Sequence, residues 1–237
     1  MSPELVSAAQ RVASSDAPVS TQTAALVTIV SATRFEARAV RRACRGRLSA
    51  VRVVEGGVGL TRLRGGELGN VVVSCGLAGG LRTDLPTGSV LIPRQVMRPN
   101  GEMLACDPEL VAALERAARD LGMEPEPGPL VTTASLLTGE ARRTWAELGY
   151  VGVDMETGLI TAPRVAAVRV VLDTPEHDLS EVWLRAGAAL LHPAAWPELP
   201  WLWREAPRCM QRAALVLAEA ITPRRAPLPA TPAPRRG

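Results

Sequence analysis

Several short runs of this chain are apolar at nearly every position rather than at alternate ones: residues 25–30, 51–55, 71–74, 89–92, 130–133, 152–155 and 165–172. A strand with one wet face alternates apolar and polar residues, so continuous Val and Ile runs predict strands covered on both sides. Helical patterns separate them. Residues 34–43 carry charges on one side, and residues 60–68 allow a short helix. Asp107 opens a third helix running through residue 121, with Pro108 at its first position and Glu109 in its first turn. A closing helix spans about residues 205–221. This alternation predicts an α/β fold, a three-layer α/β/α sandwich around a central mixed sheet.

At 237 residues the chain matches one domain with a substantial core, and 47% apolar content excludes a disordered chain. Residues 24–222 are expected to form that domain. Residues 1–23 read as a flexible leader, and residues 223–237, broken by repeated prolines, as a disordered Pro/Arg-rich tail. No apolar run is long enough to span a bilayer, and the start lacks a basic-then-apolar signal pattern. The four cysteines are scattered without metal spacing, which predicts a cytoplasmic protein with free thiols. All 27 basic residues are arginine, and the net charge is only +3. With one Tyr and one Phe there is no aromatic ladder for base stacking, so no nucleic acid partner is expected. The absence of lysine excludes Schiff-base chemistry and a Walker-type phosphate loop.

In open α/β sheets, ligands bind beyond strand ends, where loops splay apart. Four features fall at such ends. They are Glu36, the turn Gly56-Gly57-Val58-Gly59, the glycine-rich stretch Gly76-Leu77-Ala78-Gly79-Gly80, and two acidic motifs. The glycine-rich stretch is expected to be a loop that lets backbone approach a ligand closely. The acidic motifs are Val153-Asp154-Met155-Glu156 and Arg169-Val170-Val171-Leu172-Asp173. Taken singly, each feature also fits a structural role: a first-turn helix residue, tight turns, or capping carboxylates. Taken together, they place carboxylates and bare backbone at one end of the sheet. That layout suits cleavage of a bond to a sugar carbon.

The order of these motifs, with Leu85-Pro86-Thr87-Gly88-Ser89-Val90 between them, resembles the superfamily of purine nucleoside phosphorylase, uridine phosphorylase and methylthioadenosine nucleosidase. The likeness covers roughly residues 25–222. Three further pieces are similar to the hopanoid-associated phosphorylases: Phe35-Glu36-Ala37-Arg38, the stretch from Val168 through Pro175 to Leu179, and Pro197-Glu198-Leu199-Pro200.

The resemblance implies a nucleoside phosphorylase/hydrolase-like fold that cleaves a purine N-ribosyl bond, by phosphorolysis or hydrolysis, and releases adenine. A hopanoid-linked nucleoside such as adenosylhopane is the favoured substrate. Futalosine or methylthioadenosine/adenosylhomocysteine nucleosidase activity is the alternative, as is a degenerate module that binds a nucleoside without turnover. By the same resemblance, Asp173 protonates or hydrogen-bonds the purine N7, and Glu36 orients the attacking water. Glu156 and Met155 hold the ribose, while Gly79, Ala78 and Leu136 border the base and sugar. If phosphate is the co-substrate, Arg34, Arg38 and Arg62 are candidates to bind it. No metal or organic cofactor is implied; a homo-oligomer is. Trp196, Trp201 and Trp203 fit subunit or core packing, or else a greasy lip for a lipid-tailed nucleoside and a peripheral membrane contact.

The chain departs from the family pattern at three places. Leu77 stands where the nucleosidases carry Ser, and Ala134-Ser135-Leu136 replaces a stretch that usually offers Asp and Phe. The segment between Glu156 and Arg169 is short and contains Pro163. Reduced activity is one expected consequence.

Overall fold

The computed structural model describes residues 26–47, 51–63, 68–180 and 193–222. The leader and tail assigned to residues 1–23 and 223–237 lie outside the described residues. In chain order the elements are β1 (Val27–Ser31), α1 (Arg34–Ala43), β2 (Val51–Glu55), β3 (Val71–Gly80), β4 (Val90–Leu91), β5 (Gln95–Met97) and β6 (Met103–Ala105). They continue with α2 (Pro108–Asp120), β7 (Pro125–Glu126), β8 (Leu130–Thr132), α3 (Gly139–Glu147), β9 (Gly152–Asp154), β10 (Arg164–Asp173) and α4 (Leu199–Ala220).

The two longest strands, β3 and β10, run parallel and form the spine of a mixed sheet. On the other edge of β3, β1 pairs in parallel with its first half and with β2. Beyond the end of β1, β9 takes over that edge and pairs antiparallel with Gly79 and Gly80. The order extends from β9 through β8, β5 and β6, and from β10 through β4 and β7.

Strand periodicity sorts the buried side chains onto two faces. Ile29, Val73, Cys75, Ala166, Val168 and Val170 pack in one cluster with Val40 of α1, Leu114 of α2 and Met210 of α4. Val30, Val72 and Val165 point the other way, into a smaller cluster with Ile160 that is closed by Leu60, Leu63, Leu68 and Ala162. Trp145 and Ala146 of α3 pack on a third cluster, made by Leu81, Val131, Tyr150 and Val153. The α/β class, the mixed sheet and its flanking helices are as expected.

Four local expectations change. The glycine-rich stretch is not a loop: Gly76 to Gly80 are the last residues of β3, because β9 and β10 supply ladder partners on both edges. Residues 60–68 hold no α-helix among the described residues, only a 3-10 turn at Val58–Leu60. Helix α3 is an addition, since its weakly patterned sequence gives little periodic signal. Helix α4 begins at Leu199 rather than near residue 205, because Pro200 sits in the first turn, where its missing N–H costs no bond.

Candidate active site

Glu36 is held at the junction of α1 and β3. Thr33 caps α1 by accepting from the Glu36 N–H, and Glu36 Oε2 accepts in return from the Thr33 N–H at 2.9 Å. This reciprocal pairing satisfies two donors that a helix start leaves open. The other carboxylate oxygen, Oε1, accepts from the Leu77 N–H at 3.0 Å. Glu36 is thereby fixed against the backbone of β3. The approach depends on Gly76, where a Cβ would lie 2.6 Å from both Glu36 Oε1 and Arg169 Nη1.

Asp173 ends β10, where the register with β3 slips: Val171 pairs with Ala78, but Asp173 pairs with Gly79. The bulge re-aims the strand end, so Leu172 and Asp173, though consecutive, both line one cavity. Gly79 leaves the necessary room, since a Cβ there would meet the Asp173 carboxylate at 3.2 Å. The Asp173 carboxylate is paired with the guanidinium of Arg142, and both side chains are buried. Arg142 also donates to Gly80 O at 2.8 Å and to Leu137 O at 3.1 Å, and reaches Asp178 at 3.2 Å.

A second buried guanidinium, Arg169, organises the other acidic motif. It contacts Asp154 at 2.7 Å and Glu156 at 3.4 Å, and it donates to Ser74 Oγ and Thr157 Oγ1. Burial disfavours its charge, but the surrounding carboxylates outweigh that, and its pKa lies above the usual arginine value. Glu156 completes its shell by accepting from the Gly59 N–H at 3.1 Å. Gly59 adopts φ +60° to present that donor, so the glycine-rich turn after β2 has a specific use. Burial pushes Glu156 up to about 7; Arg169 opposes the shift, while Asp154 and Glu36 reinforce it.

These parts enclose a cavity of about 300 Å³ whose lining includes Glu36, Ala78, Gly79, Leu136, Met155, Glu156 and Asp173. Residues 61–177 match the sequence profile of the phosphorylase superfamily. Over that span the chain resembles this superfamily. Solved structures share the fold. A 5'-methylthioadenosine/S-adenosylhomocysteine nucleosidase from Neisseria meningitidis, in complex with methylthio-immucillin-A, superposes with a TM-score of 0.63 at 18% identity. That match covers 83% of this chain and 98% of the other. Futalosine hydrolase of Helicobacter pylori gives 0.62 at 12% identity, over 84% and 97% of the two chains. The Colwellia psychrerythraea nucleosidase, in complex with adenine, gives 0.61 at 14% identity, over 83% and 94%. Among curated proteins, none matches by sequence.

The site residues expected from sequence divide into two groups. Glu36, Ala78, Gly79, Leu136, Met155, Glu156 and Asp173 share the cavity. Arg34, Arg38 and Arg62 do not reach it. Arg34 and Arg38 line a separate groove between α1 and α4, and Arg62 pairs with Glu55 at the surface. The guanidinium beside Asp173 is Arg142, not Arg169 of the same motif. The tryptophans also divide: Trp196 and Trp203 are exposed, while Trp201 is half-buried and stacks on His177 with ring centroids 4.1 Å apart. His177 itself is exposed and outside the cavity lining. The residues that sequence reading missed are Arg142, Thr33 and the cavity wall Leu172, Leu179 and Leu202. A Thr-x-x-Glu capping box was legible for Thr33; nothing local marks Arg142 as buried.

Proposed function

We propose that this protein cleaves the N-ribosyl bond of a purine nucleoside and releases the base, with water as the nucleophile. One observation carries the reading: the acidic residues Glu36, Asp154, Glu156 and Asp173 line one small cavity, and among the described residues its wall holds no cationic side chain. Breaking a ribosyl C–N bond builds positive charge on the sugar, which fixed carboxylates stabilise. Glu156 is placed to accept from ribose hydroxyls and favour that charge. Asp173, at the bulged end of β10, is placed to hydrogen-bond or protonate N7 of the leaving base. Glu36, anchored through its helix cap and the Leu77 N–H, orients the attacking water. A phosphate dianion entering the cavity would face carboxylates with no arginine among the described residues of the lining to receive it, which favours hydrolysis over phosphorolysis. The resemblance to nucleosidases that bind methylthio-immucillin-A and adenine supports the purine assignment.

The favoured substrate carries an apolar extension on its sugar, as in a hopanoid-linked nucleoside such as adenosylhopane. The support is the wall of Leu77, Leu136, Leu172, Leu179, Leu202 and Met155, which suits an apolar group and gives a polar one no partner. No metal or organic cofactor enters this chemistry. The test is adenine release from adenosine, methylthioadenosine and a lipid-tailed adenosine, each with and without phosphate. Phosphate-independent release that Asp173→Asn abolishes is expected, fastest for the tailed substrate. Release that requires phosphate refutes the water reading, and faster turnover of methylthioadenosine refutes the lipid-tailed assignment. Binding without release from any substrate overturns the enzymatic reading.

A further inference from the structure

A second concavity, of about 700 Å³, runs between α1 and α4 on the helical face of the sheet. Its lining includes the apolar Ala39, Ala43 and Ala214. Its rim carries Arg34, Arg38 and Arg42, spaced four residues apart so that one face of α1 presents all three. Arg34 approaches Glu55 only at 3.6 Å with its side chain 77% exposed, and neither Arg38 nor Arg42 has an ion-pair partner among the described residues. Large apolar side chains stand in the open beside this rim. Phe35 and Leu215 line the groove and are exposed. Trp203, 81% exposed, precedes Pro207 of the groove by one turn of α4.

Basic head groups around apolar side chains, with a tryptophan at the edge, match the chemistry of the lipid–water interface. We propose that the α1–α4 face docks peripherally on an anionic membrane, with Arg34, Arg38 and Arg42 meeting lipid headgroups and Trp203, Phe35 and Leu215 entering the acyl boundary. No helix among the described residues is long and apolar enough to cross a membrane, so the contact is superficial. A second copy of the chain suits this face poorly. A two-fold contact centred on the groove would set one arginine stripe against the other, and like charges in apposition oppose association. The inference does not depend on the proposed reaction.

The test is co-sedimentation of the full-length protein with vesicles of phosphatidylcholine alone, or with phosphatidylglycerol added at about one-third. Juxtamembrane basic residues contribute on the order of 1 kcal/mol each near an anionic surface, about fivefold in affinity. Binding confined to the anionic vesicles and weakened by 0.5 M salt is therefore expected. The double variant Arg42→Glu with Gln211→Glu should bind at least tenfold more weakly, and Trp203→Ala severalfold more weakly. Both should keep wild-type thermal unfolding, and wild-type turnover of a soluble nucleoside if the enzymatic reading holds. No binding, equal binding to both vesicle types, or variants that bind like wild type would overturn the proposal. So would a dimer in size-exclusion chromatography that these substitutions dissolve, or preferred capture of a single-stranded oligonucleotide over the anionic vesicles.

Discussion

Arg142 and Asp173, 31 residues apart in sequence, form an ion pair in the interior, with side-chain exposures of 2% and 7%. The guanidinium also donates to the carbonyls of Gly80 and Leu137, so it is tied at once to the end of β3 and to the segment that enters α3. Removing one partner of a buried pair leaves an uncompensated charge, which typically costs ~3–5 kcal/mol. Arg142→Met is expected to destabilise the protein by that order in urea denaturation. Asp173→Asn, which keeps a polar group facing Arg142, should cost less stability but lower turnover by roughly 10²–10⁴. If Arg142 acts on turnover by positioning Asp173, the double variant should lose no more activity than Asp173→Asn alone.

Glu156 gives the pH dependence. Its pKa is pushed up to about 7 by burial, so its proposed role as an ionised acceptor is available only above that value. Turnover is expected to rise with pH through about 7, and Glu156→Gln should remove that limb along with most activity. A flat wild-type profile between pH 5.5 and 8.5 would contradict the assignment.

The same shift predicts a stability effect of opposite direction. A carboxyl whose folded pKa lies above its unfolded value binds more protons when folded, so its contribution is present at low pH. That contribution is lost as pH rises through about 7. A shift from 4.5 to about 7 corresponds to on the order of 3 kcal/mol between pH 5 and pH 8. Glu156→Gln should therefore gain stability relative to wild type across that interval. Denaturant melts of both proteins at the two pH values measure it directly.

Gly76 is the backbone position with the least room. A methyl group there would press on Glu36 and Arg169 at 2.6 Å, so Gly76→Ala should cost ~1–3 kcal/mol and depress turnover by displacing Glu36. Gly46, with nothing within 4 Å of an added Cβ, is the control: Gly46→Ala should stay within about 0.5 kcal/mol of wild type.

Thr33 links helix initiation to chemistry. Thr33→Ala removes the cap on α1, worth ~1 kcal/mol, and also frees one oxygen of Glu36 from its side-chain donor. Turnover should fall by more than the stability loss explains, and Thr33→Ser should restore both. If thermal stability and activity of Thr33→Ala both match wild type, the capping box has no part in placing Glu36.

The strands around the site were legible because each is a continuous apolar run that could serve only in a sheet covered on both faces. The acids Glu36, Glu156 and Asp173 were legible because each ends or closely follows such a run. From sequence the glycine-rich stretch suggests a loop because glycine weakens strands in isolation, whereas ladders to β9 and β10 override that preference. Helix α3 is not legible because it packs on β8 and β9 through only a narrow apolar stripe, Trp145 and Ala146.

What the sequence by itself determined is the α/β alternation, the positions of the strand ends, and hence the set of carboxylates that meet there. What only the tertiary structure decided is which cation faces which acid. Arg169 belongs to the motif that ends in Asp173, yet it turns to Asp154 and Glu156, while Arg142 arrives from a separate helix to meet Asp173. The reason is physical. Apolar burial follows local periodicity, which is written along the chain, but a charge partner depends on distances in space. Those distances exist only once β3, β10 and α3 have packed together.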